Sequence, residues 1–189
     1  MNLLAVGLAS LAMLSSCASG PGTRINQATT SASKLEADSR TALNQLYQNH
    51  PKARQLASQA KAVLVFPRVS KAGFFAAAQV GNGTLFIEDK PSRFYQTAGI
   101  SYGFQAGAQQ FGYALFAMDD TALKQLDAAA GWEFGGAPSV VILDKGISGT
   151  LSTTSMRSGT YVVFFNQKGL MGGMGLQGTK ITRIQPGKH

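Results

Sequence analysis

The run from Phe94 to Met118, FYQTAGISYGFQAGAQQFGYALFAM, alternates two kinds of position. Gly99, Ser101, Gly103, Gln105 and Gly107 fall on one side, and Ile100, Tyr102, Phe104, Ala106 and Ala108 on the other. Strand side chains point to opposite faces with period two, so one face of this ribbon is nearly bare and the other apolar and aromatic. Glycine inside a strand costs roughly 0.5–1 kcal/mol relative to alanine, so three on one face need a reason. Close approach of another backbone, a bulge, or the bend of a sheet toward a barrel would each supply one. The pattern predicts the curved centre of an antiparallel sheet, with two strands meeting near Gln109-Gln110.

The 189 residues, 44% of them hydrophobic, suffice for one well-buried domain plus a leader. The first sixteen residues carry no charged side chain, and their apolar run from Leu3 to Leu14 is too short to span a bilayer comfortably. It ends in Leu14-Ser15-Ser16-Cys17, small residues beside the chain's single cysteine, as an export signal and its cleavage site would. These four residues resemble the lipobox of bacterial lipoproteins. That resemblance implies a signal peptide over 1–16, a lipidated Cys17, and, with Ala18 following the cysteine, sorting to the outer membrane. Two or three acyl chains make such attachment stable, whereas one is marginal.

The polar stretch up to Thr30 reads as a tether, giving a lipidated tether over 17–30 and a single domain over 31–189. Ser31–Gln48 places Ala32, Leu35, Ala42, Leu43, Leu46 and Tyr47 on one helical stripe. Asn49-His50-Pro51 breaks that helix, and Pro51 opens a second that runs to about Ala62. Val63–Phe66 reads as a strand ended by Pro67. A hairpin then follows, turning at Gly81-Asn82-Gly83. Asp119-Asp120-Thr121 supplies the N-cap of a short helix over 122–130, so the acid pair is assigned to capping rather than catalysis. From Gly131 onward, turns at Lys145-Gly146, Arg157-Ser158-Gly159 and Gln167-Lys168-Gly169 separate short strands, as in an antiparallel meander that closes into a barrel.

Charge adds a second constraint. Seventeen basic against nine acidic residues give +8, none of it in the leader. Between Asp38 and Glu88 the chain has no acid, and it carries Lys52, Arg54, Lys61, Arg68 and Lys71. These five read either as a solvated helix face or as a basic surface for anionic lipid headgroups or cell-wall polymer. Catalytic signals are weak by comparison. Residues 173–178 match GxGxxG, but the following TKITRI reads as a strand, and a dinucleotide turn must open a helix. His50 and His189 have neither a ligand cluster nor a nucleophile beside them in sequence, so no cofactor, metal or catalytic residue is assigned. Trp132, Tyr95, Tyr102, Phe104 and Tyr113 read as core, with the lining of a cavity as the alternative.

Three segments taken together resemble the SYLF domain, the lipid- and actin-binding domain of some eukaryotic SH3 proteins and many bacterial lipoproteins. They are AKAVLVFPRVSKAGFFAAAQVGNGTL (60–85), AGISYGFQAGAQQFGYALFAMDDTALKQL (98–126) and FNQKGLMGGMGLQGTKI (165–181). Where the family usually carries a tryptophan-containing turn, this chain has Phe94-Tyr95-Gln96. The resemblance implies binding rather than catalysis. Eukaryotic members bind phosphoinositides through a basic N-terminal region, and some bind actin, which is not expected in a bacterial envelope.

The expected fold is therefore α+β, with an N-terminal helical pair, a strongly curved, glycine-rich antiparallel sheet or barrel, and one short internal helix. The expected function is that of a non-enzymatic outer-membrane lipoprotein, facing the periplasm or the surface, whose basic residues bind anionic lipid or another envelope component. The alternatives are a carrier enclosing an apolar ligand and an envelope scaffold that binds protein or peptidoglycan. Nucleic acid is not among the expected partners.

Overall fold

The computed structural model describes residues 27–102, 107–128, 132–133, 140–143, 159–170 and 178–187. Its elements in chain order are β1 (Gln27–Ser31), α1 (Ala32–Asn49), α2 (Pro51–Ala57), β2 (Ala62–Gly73), β3 (Ala76–Ile87), β4 (Lys90–Tyr102), β5 (Gly107–Ala117), α3 (Asp120–Leu126), β6 (Trp132–Glu133), β7 (Val140–Leu143), β8 (Thr160–Leu170) and β9 (Thr179–Gly187). The leader, Cys17, residues 103–106, the Lys145-Gly146 turn, Arg157-Ser158, residues 173–177 of the glycine motif and His189 lie outside the described residues.

Helix α1 buries Leu35, Ala42, Leu43 and Leu46, the stripe that its 3.6-residue spacing dictates. His50 closes it, donating its backbone N–H to the Leu46 carbonyl at 2.8 Å, and Pro51 stands at the first position of α2, where a missing N–H costs nothing. Helix α2 buries Ala53 and Leu56 and ends at Ala57, short of the expected Ala62, because Ala62 is already paired in the sheet. Both helices lie on one face of that sheet, against Val63, Val65, Phe86, Ala114, Phe116, Tyr161, Val163 and Phe165.

The sheet runs β1-β9-β4-β3-β2-β5-β8-β7, with β6 beside β9. The six strands from β9 to β8 are antiparallel, while β1 joins β9 and β7 joins β8 in parallel. This is an α+β fold with an open sheet, which corrects the barrel reading: a barrel needs a ladder between its outermost strands, and among the described residues none joins β1 to β7. Nor do the strands from Gly131 onward form the expected antiparallel meander, since β7 pairs with β8 in parallel and β9 lies apart from β8, beside β4; β5 in turn lies beside β2 and not β4. Strand β1 also takes in Gln27–Thr30, the end of the stretch read as tether, by pairing with β9 from Gln27↔Gln185 onward.

Pro67 does not end its strand. It has no N–H for the ladder, and β2 carries it through a bulge, with register shifts between Val65 and Arg68 against β3 and between Phe66 and Val69 against β5. Gly81 and Gly83, read above as a turn, are instead the part of β3 that faces this bulge. A Cβ on Gly83 would stand 2.4 Å from the Val65 carbonyl oxygen and 2.7 Å from the Phe66 ring, and one on Gly81 would stand 2.7 Å from the Arg68 carbonyl oxygen. The turn falls instead at Glu88-Asp89, both at positive φ (49° and 59°), a two-residue hairpin made without glycine. The Gln167-Lys168-Gly169 turn is likewise corrected, because β8 runs through it with a register shift opposite Gln110–Gly112. Gln109 and Gln110 lie inside β5, so the ribbon breaks earlier than expected, after Tyr102. Close approach accounts for Gly99: a Cβ there would meet the Thr179 hydroxyl on β9 at 2.8 Å.

The face away from α1 and α2 carries the second half of the core. Leu64, Phe66, Leu85, Tyr95, Phe111, Tyr113, Leu115, Val162, Phe164 and Ile181 pack there with Ala122 and Leu126 of α3. Tyr113 is fully buried, with its ring 4.8 Å from Phe66 and 5.8 Å from Phe164, and it donates its hydroxyl proton to the Thr97 hydroxyl at 2.7 Å. Asp127, just past α3, accepts from Tyr95 at 2.7 Å and from Arg93 at 2.8 Å, tying the helix end to β4. Asp119 caps α3: one carboxylate oxygen accepts from the Ala122 amide at 2.7 Å and the other from the Gly159 amide at 2.9 Å. These backbone donors hold the Asp119 carboxyl below the usual carboxylate range.

Two stability measurements follow. In urea unfolding, Gly83→Ala is expected to cost about 1–3 kcal/mol by overpacking against backbone that cannot yield, whereas a turn glycine at negative φ would tolerate alanine. Asp119→Ala is expected to cost about 1–2 kcal/mol at neutral pH. Because the folded carboxyl titrates below its unfolded value, this contribution is present above about pH 4 and is lost as pH falls through the folded value. The stability gap between Asp119→Ala and the parent should therefore close on acidification. A gap independent of pH would remove the cap from this account.

Candidate functional site

The five cations that the sequence places together do not share a surface. Lys52 and Arg54 are exposed on α2, and Lys61 is exposed at the start of β2. Arg54 and Lys61 line one cleft of about 470 Å³, whose apolar floor includes Leu43, Val63 and Phe86 and whose opposite rim carries Glu88 and Asp89. Tyr47 stands in the same cleft, its hydroxyl pushed up to about 12 by burial and by Asp89, against a smaller opposing effect of Arg54. Asp89 is already engaged by Arg40 at 3.2 Å, and the Arg40 guanidinium lies 4.8 Å over the Phe86 ring. The rim that remains is cationic toward α2, and its side chains are long enough to reach a headgroup phosphate.

Arg68 is exposed too, but in a separate groove of about 520 Å³ between α1 and the sheet, lined by Leu35, Asp38, Gln45, Ser70, Val80 and Asn166. Lys71 is the clear correction, being only 4% exposed. Strand alternation carried from Val63 and Val65 would put it on the helix-covered face. The bulge at Pro67 shifts that count by one residue, so Lys71 turns to the opposite face with Val69, opposite Gln79 on β3 and Gln109 on β5. Burial lowers its pKa. Gln79 donates its side-chain amide to the Thr179 hydroxyl, and the amide oxygens of Gln79 and Gln109 are buried without partners among the described residues. Lys71 is therefore part of a buried polar strip, not of a surface.

The catalytic and cofactor readings can be placed as well. His50 sits at the α1–α2 junction on a cleft of about 550 Å³ with Gln45, Asn49, Phe165 and Lys168. Among the described residues no group of three or more His, Cys, Asp or Glu side chains stands ready to hold a metal. Gly178, the last glycine of the GxGxxG match, leads into β9 rather than into a helix, so the dinucleotide geometry is not formed there. Of the aromatics weighed as cavity lining, Tyr95 and Tyr113 are packed core. No helix among the described residues is long and apolar enough to cross a membrane.

Sequence reasoning missed one surface. Phe74, Phe75, Val80 and Ile100 are all large, apolar and exposed, and all lie toward the end of the sheet away from α2. A period-two count shows which positions share a face but not which face is covered, so nothing in the ribbon announced that Ile100 would be the exposed side.

The search of curated proteins finds no match to this chain. Residues 98–186 match the family model described as Ysc84, Las17-binding protein actin regulator. That span takes in the end of β4 and everything from β5 through nearly all of β9. Most of the glycine-rich ribbon and the closing β8–β9 segment fall within it, and over residues 98–186 the chain is similar to the SYLF domain family.

Proposed function

We propose that this protein is a non-enzymatic lipoprotein of the bacterial outer membrane, anchored through Cys17, whose SYLF domain binds anionic lipid or another envelope component. SYLF domains bind lipids and actin in general. The leader and Leu14-Ser15-Ser16-Cys17 argue for lipid over actin. The observation that carries the reading is the exposed cluster of Lys52, Arg54 and Lys61 around α2 and its cleft, on a domain that keeps the full +8 once the uncharged leader is gone. Each well-placed cation near an anionic surface contributes about 1 kcal/mol, and the effect is screened within a Debye length. A cation patch of this size is too weak to hold the protein on a membrane alone. It acts together with the acyl anchor, which removes the cost of bringing the domain to the surface. Lys71 takes no part, and Arg68 stands to the side in its own groove.

Flotation of the chain starting at position 17, with Cys17→Ser, tests this on vesicles with and without anionic lipid. Binding should require the anionic lipid and weaken steeply between low and physiological salt. Absent or salt-independent binding would leave attachment to the acyl chains and favour a protein or cell-wall partner. If the basic corner is the contact, Lys52→Glu, Arg54→Glu and Lys61→Glu together should abolish the anionic preference. Lys71→Met should leave binding unchanged and be neutral or favourable for stability, since it removes the desolvation cost of a buried cation.

A further inference from the structure

On the helix-covered face, the ladder registers line up two rows across the sheet beyond the reach of α2. The first reads Lys180 (β9), Ala98 (β4), Val80 (β3), Ser70 (β2), Gln110 (β5) and Lys168 (β8). The second, one step nearer the strand ends, reads Ile100, Ala78, Ala72 and Ala108, with Leu170 next in register. This second row holds no polar residue. Beyond it, the β2–β3 hairpin tip presents Phe74 and Phe75, 56% and 66% exposed and packed edge to face at 4.6 Å. Val80 and Ile100 are 47% and 56% exposed. The chain thus leaves an apolar tip and an alanine-floored apolar face in water, with a lysine at each end of the row behind.

From this arrangement we infer that the tip end of this face is the surface that docks onto an anionic lipid bilayer. Phe74, Phe75 and Ile100 enter the interface, and Lys168 and Lys180 sit at headgroup level. The inference rests on the lipid-binding reading above but not on its basic corner: it keeps anionic lipid as the ligand and moves the contact to the other end of the sheet, so reversing Lys52, Arg54 and Lys61 should then leave the anionic preference in place. A bilayer fits better than a groove-seeking peptide for two reasons. The small side chains of the alanine row offer no pocket, and strands spaced about 4.8 Å apart put the two lysines roughly 24 Å apart along the sheet. That is a broad, shallow apolar surface with cationic flanks, the layout of an interfacial anchor whose apolar part sinks about 5–10 Å while lysine stems reach back to phosphates. Among the described side chains one acid bears on the patch: Asp38, at its inner edge, is tied to Lys34 at 2.9 Å. Lys61 and α2 lie at the far end of the twelve-residue β2, roughly 40 Å away, so a planar bilayer met end-on by the tip does not reach the basic corner.

The test uses the chain starting at position 17 with Cys17→Ser, carrying an environment-sensitive nitrobenzoxadiazole dye on a single introduced cysteine, Phe75→Cys or Lys52→Cys. Vesicles contain phosphatidylethanolamine with or without phosphatidylglycerol. The expected result is a blue shift and brightening of the dye at position 75 on anionic vesicles, with the dye at position 52 still reporting water. Phe74→Ser with Phe75→Ser should lower partitioning about ten-fold or more. Lys168→Gln and Lys180→Gln should each lower it about five-fold. Because all four side chains are exposed, unchanged thermal melts are expected of these variants. A response at position 52 with none at 75 would overturn the tip contact and leave the basic corner as the lipid site. No response at either position, with no anionic preference in flotation, would overturn the lipid reading and this inference with it. If Phe74→Ser with Phe75→Ser instead turned an oligomer into a monomer without vesicles, the face would be a contact between copies and the inference would fall.

Discussion

A proline in the central strand is the constraint on which the rest of this structure depends. Strand β2 is paired on both sides, with β3 and with β5, and Pro67 has no amide hydrogen to give to either. The ladder accommodates it by a bulge, and the bulge is possible only because β3 offers Gly81 and Gly83 opposite it, where a Cβ would meet backbone at 2.7 Å and 2.4 Å. One extra residue in β2 exchanges the two faces of everything that follows. Val69 joins Phe111 in the core, Lys71 goes inside, and Arg68, Ser70 and Ala72 face outward. The outward alanine at position 72, level with Ala78, Ala108 and Ile100, is what makes a flat apolar row at the end of the sheet.

The two faces divide the labour. Near the α2 end both are covered, one by α1 and α2 and the other by α3, and the large aromatic and branched residues are concentrated there. Toward the tip the helix-side layer runs out, and the central positions of the face shrink to alanine and serine beside Val80, Ile100 and Gln110, with Lys168 and Lys180 at the flanks and the Phe74-Phe75 pair at the hairpin end. A sheet that projects past its helical cover exposes backbone and apolar surface that a free-standing soluble protein rarely leaves open. Docking onto an anionic bilayer, as proposed above, would cover that projecting surface.

Much of the candidate site was legible from residues alone, and the rest was hidden for specific reasons. The exposure of Lys52 and Arg54 follows from helix periodicity and from their position beside Pro51. Lys71 did not, because a one-residue bulge several positions upstream reversed its face. The Glu88-Asp89 turn carries no glycine, so local turn chemistry pointed to Gly81-Asn82-Gly83, whose glycines serve packing instead. The Phe74-Phe75 tip looked like part of a strand because apolar residues at a hairpin end carry no sequence signal that separates them from core.

What the sequence determined by itself was local. The stripe of α1, the capping by Asp119 and the strand character of the glycine ribbon all rest on interactions spanning a few residues or on composition. What only the tertiary structure decided was pairing: that β5 lies beside β2 and not β4, that β1 and β7 close the edges in parallel so that the sheet stays open, and which side of each strand meets solvent. Hydrogen-bonded ladders can form between any two strands, and the choice among them is made by long-range burial of whole faces. A pattern of period two leaves that choice open until all the strands are in place.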